Sequence, residues 1–286
     1  MRLIVNADDF GRHEKINEAV ERAVREGCLR SATLMPGGAA FDGAVEIAGR
    51  QPALGVGIHF TLANGFPVLP PEEIPSLVTE EGVFYDDYLS FLKRYLKGRV
   101  RLAEVRSELA AQLRKMESAG VKLTHADSHQ HLHHVPGILG IVLELAEGAG
   151  IRALRVSRAS LLEGGADGIG QLIGRLGLGS LARYAAFWAG KKGFLMPDHF
   201  AGIVAGEAVS EEHLSHIIDH LENGTTEVML HPGTENGVLQ RDCRWQHDFE
   251  AELGAVLSRR VLQKLREKGI AAANFRDLSK NGGTDS

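Results

Sequence analysis

Strand-like runs alternate with helical patterns along almost the whole chain, and this alternation limits the possible folds more than any other feature of the sequence. Runs of apolar residues are separated by stretches in which apolar residues recur every three or four positions, as in an amphipathic helix. This order is typical of a parallel α/β sheet or barrel. Eight runs fit a strand: RLIV, ATLM, GVGIHF, VKLTHA, IRALRV, FAGIV, TEVMLH and IAAANF.

About eight strands in 286 residues favour a single β/α barrel domain over residues 1–280, followed by a disordered tail over residues 281–286. An open doubly wound sheet is the alternative. A glycine-rich dinucleotide turn after the first strand would favour it, but NADDFG lacks the G-x-G-x-x-G pattern. The clearest helical patterns cover residues 16–24, 102–116, 214–221 and 257–265, and the last is expected to stop at Gly269.

Two regions interrupt the alternation. Residues 64–91 contain four of the nine prolines and predict a long loop after the third strand. Residues 161–197 are rich in glycine and leucine. Either region could form a lid or a pocket wall.

The charge and the cysteines exclude several classes of protein. The chain has 32 basic and 37 acidic residues, a net charge of −5, so it lacks the basic surface expected of a nucleic-acid-binding protein. Cys28 and Cys243 have no C-x-x-C partner, which predicts neither a disulfide framework nor a thiolate zinc site and fits a cytoplasmic location. The apolar run before Asn6 is too short for a signal peptide, and no stretch of 18 uncharged apolar residues predicts a membrane span.

Four of the predicted strands carry an aspartate or a histidine at or just after their carboxyl ends. The runs are VNADD with Asp8 and Asp9, GVGIH with His59, THADSH with Asp127 and His129, and EVMLH with His231. Each alone has an ordinary explanation, because aspartate is common in turns and a single histidine in an apolar run is more often a core residue. The carboxyl ends of parallel barrel strands meet on one rim, however, so the coincidence predicts one site.

The segment THADSHQHLHH, residues 124–134, contains five of the thirteen histidines. In an extended segment its odd positions would point the same way: His125, Asp127, His129, His131 and His133. A solvated loop is the alternative interpretation. Because each buried imidazole needs hydrogen-bond partners, such a cluster is a poor choice for core packing and predicts a metal or catalytic site.

A mixed set of aspartates and histidines suits zinc or another first-row divalent metal, and no thiolate is available here. Three protein ligands would leave positions open for water and substrate. If one member of the Asp8–Asp9 pair binds the metal, the other is free to take a proton from the attacking water. The two adjacent acids would then have two different roles.

The motifs VNADDFG, GIHFTL, HADSHQHLH and EVMLHPG, in this order, resemble those of the YdjC-like carbohydrate deacetylases (the ChbG/HpnK group). The resemblance covers residues 2 to about 278 and implies a distorted β/α barrel of the polysaccharide deacetylase type. It also implies hydrolysis of an N-acetyl group from an amino sugar with a divalent metal, Zn or Mg. By this resemblance Asp9, His59 and His129 would bind the metal, Asp8 would be the general base and His231 the general acid.

The stretches MPDHFAGI and NGTTEVMLHPG look more like the hopanoid-associated branch of that family. His131, Asp198 and His199 are candidate residues of the substrate pocket, the last two because they lie in the family motif DHF. The leucine-rich stretch 161–188 would then accommodate a lipid-linked sugar, with basic residues near an anionic bilayer: Arg175, Arg183, Lys191 and Lys192. A homodimer is also expected from the family. The competing interpretations are another metal-dependent hydrolase, such as a phosphoesterase, and a non-catalytic protein that binds metal or sugar.

Overall fold

The computed structural model describes residues 1–158, 169–203 and 208–281, and its centre is a sheet of seven parallel strands. The strands are β1 (Arg2–Phe10), β2 (Ser31–Leu34), β3 (Gly55–Phe60), β4 (Leu123–Ser128), β5 (His199–Ala201), β6 (Thr225–Leu230) and β7 (Ala271–Ala273). Six of them lie in the order β4-β3-β2-β1-β6-β5, and β7 pairs with the beginning of β1. Seven of the eight predicted runs therefore contribute a strand.

The predicted strand IRALRV forms isolated parallel bridges instead of a regular strand. Leu154 bridges to Ala126 of β4, and Ala153 bridges to Leu195. These bridges extend the sheet beyond β4, and Leu195 lies only a few residues before β5 on the opposite edge. The sheet is thus a half-barrel of parallel strands, which confirms the predicted single-domain α/β class.

Ten α-helices lie in the described part of the chain. They are α1 (Glu14–Glu26), α2 (Phe41–Arg50), α3 (Tyr88–Leu96), α4 (Leu102–Ser118), α5 (Ile138–Gly148), α6 (Ile169–Lys191), α7 (Glu211–Asp219), α8 (Asn236–Cys243), α9 (Phe249–Leu257) and α10 (Arg259–Glu267). The predicted helix through 257–265 is in fact two helices, because Ser258 leaves the helical conformation and its side chain caps α10 by accepting a hydrogen bond from the Val261 amide. None of the described helices is long and apolar enough to cross a membrane.

Two expectations fall largely on undescribed residues. The predicted tail, residues 281–286, lies outside the described residues except for Asn281, which ends the 3₁₀ helix Phe275–Asn281. The first part of the leucine-rich stretch, residues 161–168, also lies outside them, as does the side chain of Arg175.

Strand β1 is the central element that positions the site. One of its edges pairs with β6 from Arg2 to Ala7, while the other pairs first with β7 and then, from Asn6 onward, with β2. Residues 3–10 are all buried, as expected for a strand of a parallel sheet that is covered on both faces. The polar end of β1 is consequently enclosed by its neighbouring strands.

The histidine-rich segment is not a continuous strand. It is extended only to Ser128, the end of β4, and then forms a 3₁₀ helix over His129–His134. Gln130 and His131 have left-handed backbone conformations, with φ of 52° and 57°. The prediction that all odd positions point the same way is therefore wrong, because the chain turns after His129.

The predicted loop after β3 covers most of residues 64–91 and contains the 3₁₀ turn Pro71–Glu73. A buried carboxylate on α4 binds its backbone. Oε1 of Glu108 accepts a hydrogen bond from the Val68 amide (2.8 Å), and Oε2 accepts one from the Leu69 amide (3.0 Å). Hydrogen bonds to a charged acceptor are stronger than hydrogen bonds between neutral groups, so the Glu108 carboxylate holds this part of the loop against α4.

Candidate active site

Three buried side chains meet at the carboxyl ends of β1, β3 and β4. Nδ1 of His129 lies 2.8 Å from Oδ1 of Asp9, and Nε2 of His59 lies 3.4 Å from the same oxygen. The His59 and His129 rings are 5.6 Å apart between centroids. The structure therefore brings together the three residues that the family resemblance implied as metal ligands.

The backbone of Asp9 explains how two consecutive aspartates can serve one site. Side chains of neighbouring residues in a regular strand point to opposite faces of the sheet. Asp9 has a left-handed φ of 59°, and the register between β1 and β2 shifts between Ala7 and Phe10. Because of this break, carboxylate oxygens of both Asp8 (4.0 Å) and Asp9 (3.4 Å) lie close to Nε2 of His59.

The donor atoms of this cluster fit a divalent metal. Oδ1 of Asp9 is buried and faces ring nitrogens of both His129 and His59. The other nitrogen of His59, Nδ1, lies 2.7 Å from Oδ1 of Asp127. Since a carboxylate only accepts hydrogen bonds, Nδ1 carries the hydrogen and Nε2, which faces Asp9, can act as the ligand.

The local electrostatics also favour a cation. Burial lowers the pKa of His59, but the charges of Asp127 and Asp8 and the hydrogen bonds to Asp127 and Asp9 together raise it to about 10. Burial raises the pKa of Asp9, but the charge of His129, the hydrogen bonds to His129 and His59 and the charge of Arg12 together hold that pKa well below its ordinary value. Negative charge therefore surrounds the His59 imidazole, and the Asp9 carboxylate stays ionised.

Asp8 is anchored by a buried arginine. Its two oxygens each accept a hydrogen bond of 2.7 Å from the guanidinium of Arg155, and Oδ1 accepts another from Asn6 Nδ2 at 2.8 Å. Burial raises the pKa of Asp8, but the charge and hydrogen bonds of Arg155 and the charge of His59 together lower the pKa below its ordinary value. Asp8 is thus an oriented, ionised carboxylate next to the group formed by Asp9, His59 and His129, which we call the Asp9 cluster.

Sequence reasoning found neither Arg155 nor its partner Glu227. Both side chains are fully buried, and Arg155 Nε donates a 2.7 Å hydrogen bond to Glu227 Oε1. Arg155 also lies 2.6 Å from Asp127 Oδ2, so one guanidinium binds three carboxylates. The available signal was the charged residues inside two apolar predicted strands, Arg152 and Arg155 in IRALRV and Glu227 in TEVMLH.

His231 directly follows β6 and lies within electrostatic range of Asp8. Burial lowers the pKa of His231, and the charges of Asp8 and Glu252 oppose this shift. The backbone amide of His231 donates to Glu252 Oε2, and His247 Nε2 lies 3.2 Å from that oxygen. His231, His247 and Glu252 also form a second group of donors that could hold a metal, and Asp8, His59 and Asp127 form a third.

The structure places the three candidate pocket residues in two different regions. His131 lies near the site, where its Nδ1 is 3.0 Å from Ser157 Oγ. Asp198 and His199 lie at the amino end of β6: Asp198 Oδ2 accepts a hydrogen bond from the Thr225 amide, and His199 pairs with Thr226. At about 3.3 Å per residue, that end is about 16 Å from the rim. We therefore exclude Asp198 and His199 from the pocket.

Buried histidines around the site make stability depend on pH. Burial lowers the pKa of His134 to about 3 and those of His125 and His133 well below the ordinary value. Each must gain a proton on unfolding below about pH 6.5, so the unfolded state binds more protons and stability falls with decreasing pH. Burial raises the pKa of Glu227 to about 7, which acts in the opposite direction and offsets one histidine.

Burial also lowers the pKa of His131 well below its ordinary value. With four such histidines offset by one glutamate, we expect the free energy of unfolding to fall by about 4 kcal/mol per pH unit between pH 6.5 and 5, the effect of three net protons. Urea titrations at several pH values measure it. His134→Leu is the matched variant, because it removes one of these histidines at a fully buried position. In this variant the free energy of unfolding should change by about 1.4 kcal/mol per pH unit less than in the wild type. An unchanged slope would contradict the assignment of His134.

Comparison with known proteins identifies the family. The model of YdjC-like proteins matches residues 2–267. The chain belongs to the YdjC-like family. A YdjC-like relative from Brevibacillus brevis, named a carbohydrate deacetylase, is 45% identical over 152 residues, which cover 51% of this chain and 56% of that protein. A chitooligosaccharide deacetylase of Salmonella paratyphi B is 30% identical over 280 residues, covering 96% of this chain and 98% of the relative.

A solved structure supports the same family fold. A crystal structure from Enterococcus faecalis, named for cellobiose-phosphate cleavage, superimposes with a TM-score of 0.76 at 27% identity. The match covers 97% of this chain and 98% of the other. The YdjC-like fold therefore extends over nearly the whole chain.

Proposed function

We propose that this chain hydrolyses the acetamido group of an N-acetylated amino sugar to give acetate and the free amine. The observation that carries the proposal is the division of two adjacent carboxylates between two environments. Asp9 faces His59 and His129, whereas Asp8 is held ionised by Arg155. The names of the relatives agree with the enzyme class that the motifs predicted.

We assign the metal to Asp9, His59 and His129. When bound, a divalent ion supplies Lewis acidity to the acetamide carbonyl and to the attacking water. Two imidazoles and one carboxylate favour zinc over magnesium, which prefers oxygen ligands. The Asp127 carboxylate fixes the His59 ring in the orientation that turns Nε2 toward Asp9.

The remaining residues move protons. Asp8 accepts a proton from the attacking water molecule while the oxygen of that water forms a bond to the acetyl carbon. His231 donates a proton to the departing nitrogen as the C–N bond breaks, which releases the amine. Arg155 orients Asp8 for this step through two hydrogen bonds. An amide needs both contributions, since its carbonyl is a weak electrophile and its nitrogen a poor leaving group.

Acetate release by the zinc-loaded protein tests the proposal. The substrates are N-acetylglucosamine, short chitooligosaccharides and a lipid-linked N-acetylglucosamine. Acetate from any of them supports the deacetylase and identifies the substrate class. If none yields acetate but phosphate is released from a phosphate ester, the chain is another metallohydrolase, for which the His231, His247 and Glu252 group offers a second metal position.

The metal assignment has its own test. We expect the wild-type protein to bind about one equivalent of zinc after gel filtration, and Asp9→Ala to retain less than about a tenth, because it removes the carboxylate that both histidines face. Elemental analysis measures the zinc content. Asp198→Asn serves as the control and should retain full occupancy, since Asp198 lies at the other end of β6. Equal zinc content in Asp9→Ala and wild type would refute the assignment.

The lipid-linked substrate of the hopanoid-associated branch is a finer proposal. Its support is an exposed aromatic surface on α6, where Lys191 Nζ lies 4.5 Å from the ring centre of Phe187 and 5.4 Å from that of Trp188. Aromatic and basic side chains together favour the surface of an anionic bilayer. Cosedimentation with anionic vesicles tests this, and no binding would contradict it. Cytoplasmic location and a homodimer remain predictions.

A further inference from the structure

A partly exposed indole lies beside His231. Trp245, in the loop between α8 and α9, is 37% exposed. Its ring contacts His231 edge to face at 5.0 Å and stacks on His247 at 3.9 Å, with the two planes 19° apart. One face of the indole is therefore covered by His247, and the exposed surface that remains lies next to the proposed general acid.

Buried contacts fix the orientation of this ring. His247, the support on which Trp245 stacks, is 4% exposed, and its backbone carbonyl accepts a 2.8 Å hydrogen bond from Gln240 Nε2. The Trp245 amide donates to the Gln240 carbonyl at 3.2 Å. Phe249 contacts the indole edge to face at 5.8 Å. Because the ring is already ordered, a ligand that stacks on it pays little further conformational entropy.

Polar groups of three loops are joined next to Trp245 in the chain. Arg244, the neighbour of Trp245, pairs with Asp86 at 2.7 Å. Asn64 Nδ2 donates to the Asp86 carbonyl at 2.9 Å, and the Arg12 guanidinium donates to the Asn64 carbonyl at 3.1 Å. The loops that follow β1, β3 and α8 thus meet here. An apolar ring with hydrogen-bonding groups nearby matches a pyranose, which has an apolar face and polar edges.

Among the described residues, the other tryptophan has different surroundings. Trp188 is 43% exposed on α6, and its ring contacts are with Tyr184, Phe187 and the ammonium group of Lys191. None of these residues belongs to the Asp9 cluster or contacts His231. Exposure alone therefore does not single out Trp245; its contact with His231 does.

We propose that the exposed surface of Trp245 is the platform on which the sugar ring bearing the acetamido group stacks during catalysis. This inference rests on the proposed function and specifies how its substrate is bound. Stacking beside His231 would bring the nitrogen of the acetamido group toward the proton donor while the acetyl carbon faces the Asp9 cluster. Trp245 is then a residue that determines specificity for a pyranose.

Fluorescence provides a readout that is independent of turnover, because the chain has only two tryptophans. Trp188→Phe leaves Trp245 as the only emitter. Titration of this metal-loaded variant with the glucosamine trisaccharide, a product-class ligand without acetyl groups, should give a saturable change in emission. The matched variant Trp245→Phe, which retains Trp188, should give none. A flat titration of Trp188→Phe, at sugar concentrations that inhibit acetate release, would overturn the inference.

Kinetics provides the second readout. Trp245→Ala should raise KM for a chitooligosaccharide by about tenfold, equivalent to about 1.4 kcal/mol, with a much smaller change in kcat. Trp245→Phe should restore part of the loss, and Leu96→Ala, at an exposed position of α3, should match wild type. A fall in kcat at unchanged KM would overturn the inference, because Trp245 would then only position His231. A saturable emission change without acetate from any substrate would instead contradict the proposed function and support sugar binding at Trp245.

Discussion

Replacing Asp8 with asparagine lowers the rate of acetate release by at least about 10³-fold while leaving the metal in place, if Asp8 is the general base. Asparagine preserves the shape of the side chain but cannot accept the proton from water. Asp9, His59 and His129 are unchanged in this variant, so their donor atoms remain. The measurement combines initial rates on a chitooligosaccharide with the zinc content of the same preparation.

The matched control is Asp219→Asn, which alters a surface carboxylate that pairs with Lys264 and Lys268. It should retain the wild-type rate. If Asp8→Asn loses both activity and zinc, Asp8 is a ligand and the roles of the two aspartates are reversed. If Asp8→Asn keeps more than about a tenth of the rate, the proton is accepted by another group.

Replacing Arg155 with glutamine should lower the free energy of unfolding by about 3–5 kcal/mol, the usual cost of removing one partner from a buried ion pair. Arg155 is fully buried and lies within 2.7 Å of Asp8, Asp127 and Glu227. A neutral amide leaves these carboxylates close together without a counter-charge. Urea unfolding followed by circular dichroism measures the change, and the yield of folded protein gives a second measure.

A second substitution keeps this prediction testable if Arg155→Gln folds poorly. Glu227→Gln removes one of the carboxylates, so the double variant Arg155→Gln/Glu227→Gln should be more stable than Arg155→Gln alone. The free energies of the wild type, both single variants and the double variant give the coupling energy. A coupling energy near zero would contradict the view that Arg155 is needed to neutralise Glu227.

The sequence predicted the functional residues at the carboxyl ends of the strands, but not the buried ion pair of Arg155 and Glu227. Strand ends with Asp8, Asp9, His59 and His231 were recognised because apolar runs mark parallel strands and their carboxyl ends share one edge. The pairing of Arg155 with Glu227 was not, because the two residues are 72 positions apart and only the folded sheet brings them together. A charged residue in an apolar run is ambiguous until its partner is known.

Two further features depend on geometry that no local pattern revealed. Strand periodicity places Asp8 and Asp9 on opposite faces, and only the left-handed φ of Asp9 turns both toward His59. Asp198 and His199 were assigned to the pocket from a motif alone, which does not tell which end of a neighbouring strand they pair with. Their hydrogen bonds to the start of β6 decide the question.

The number of buried charges at the site links metal binding to folding. Among the described residues, four carboxylates, those of Asp8, Asp9, Asp127 and Glu227, are buried near the Arg155 guanidinium, and the Arg12 guanidinium lies close enough to Asp9 to lower its pKa. A divalent ion would add two positive charges to this group of carboxylates and lower the free energy of the folded state more than that of the open chain. Zinc available while the chain folds would therefore raise the yield of folded protein.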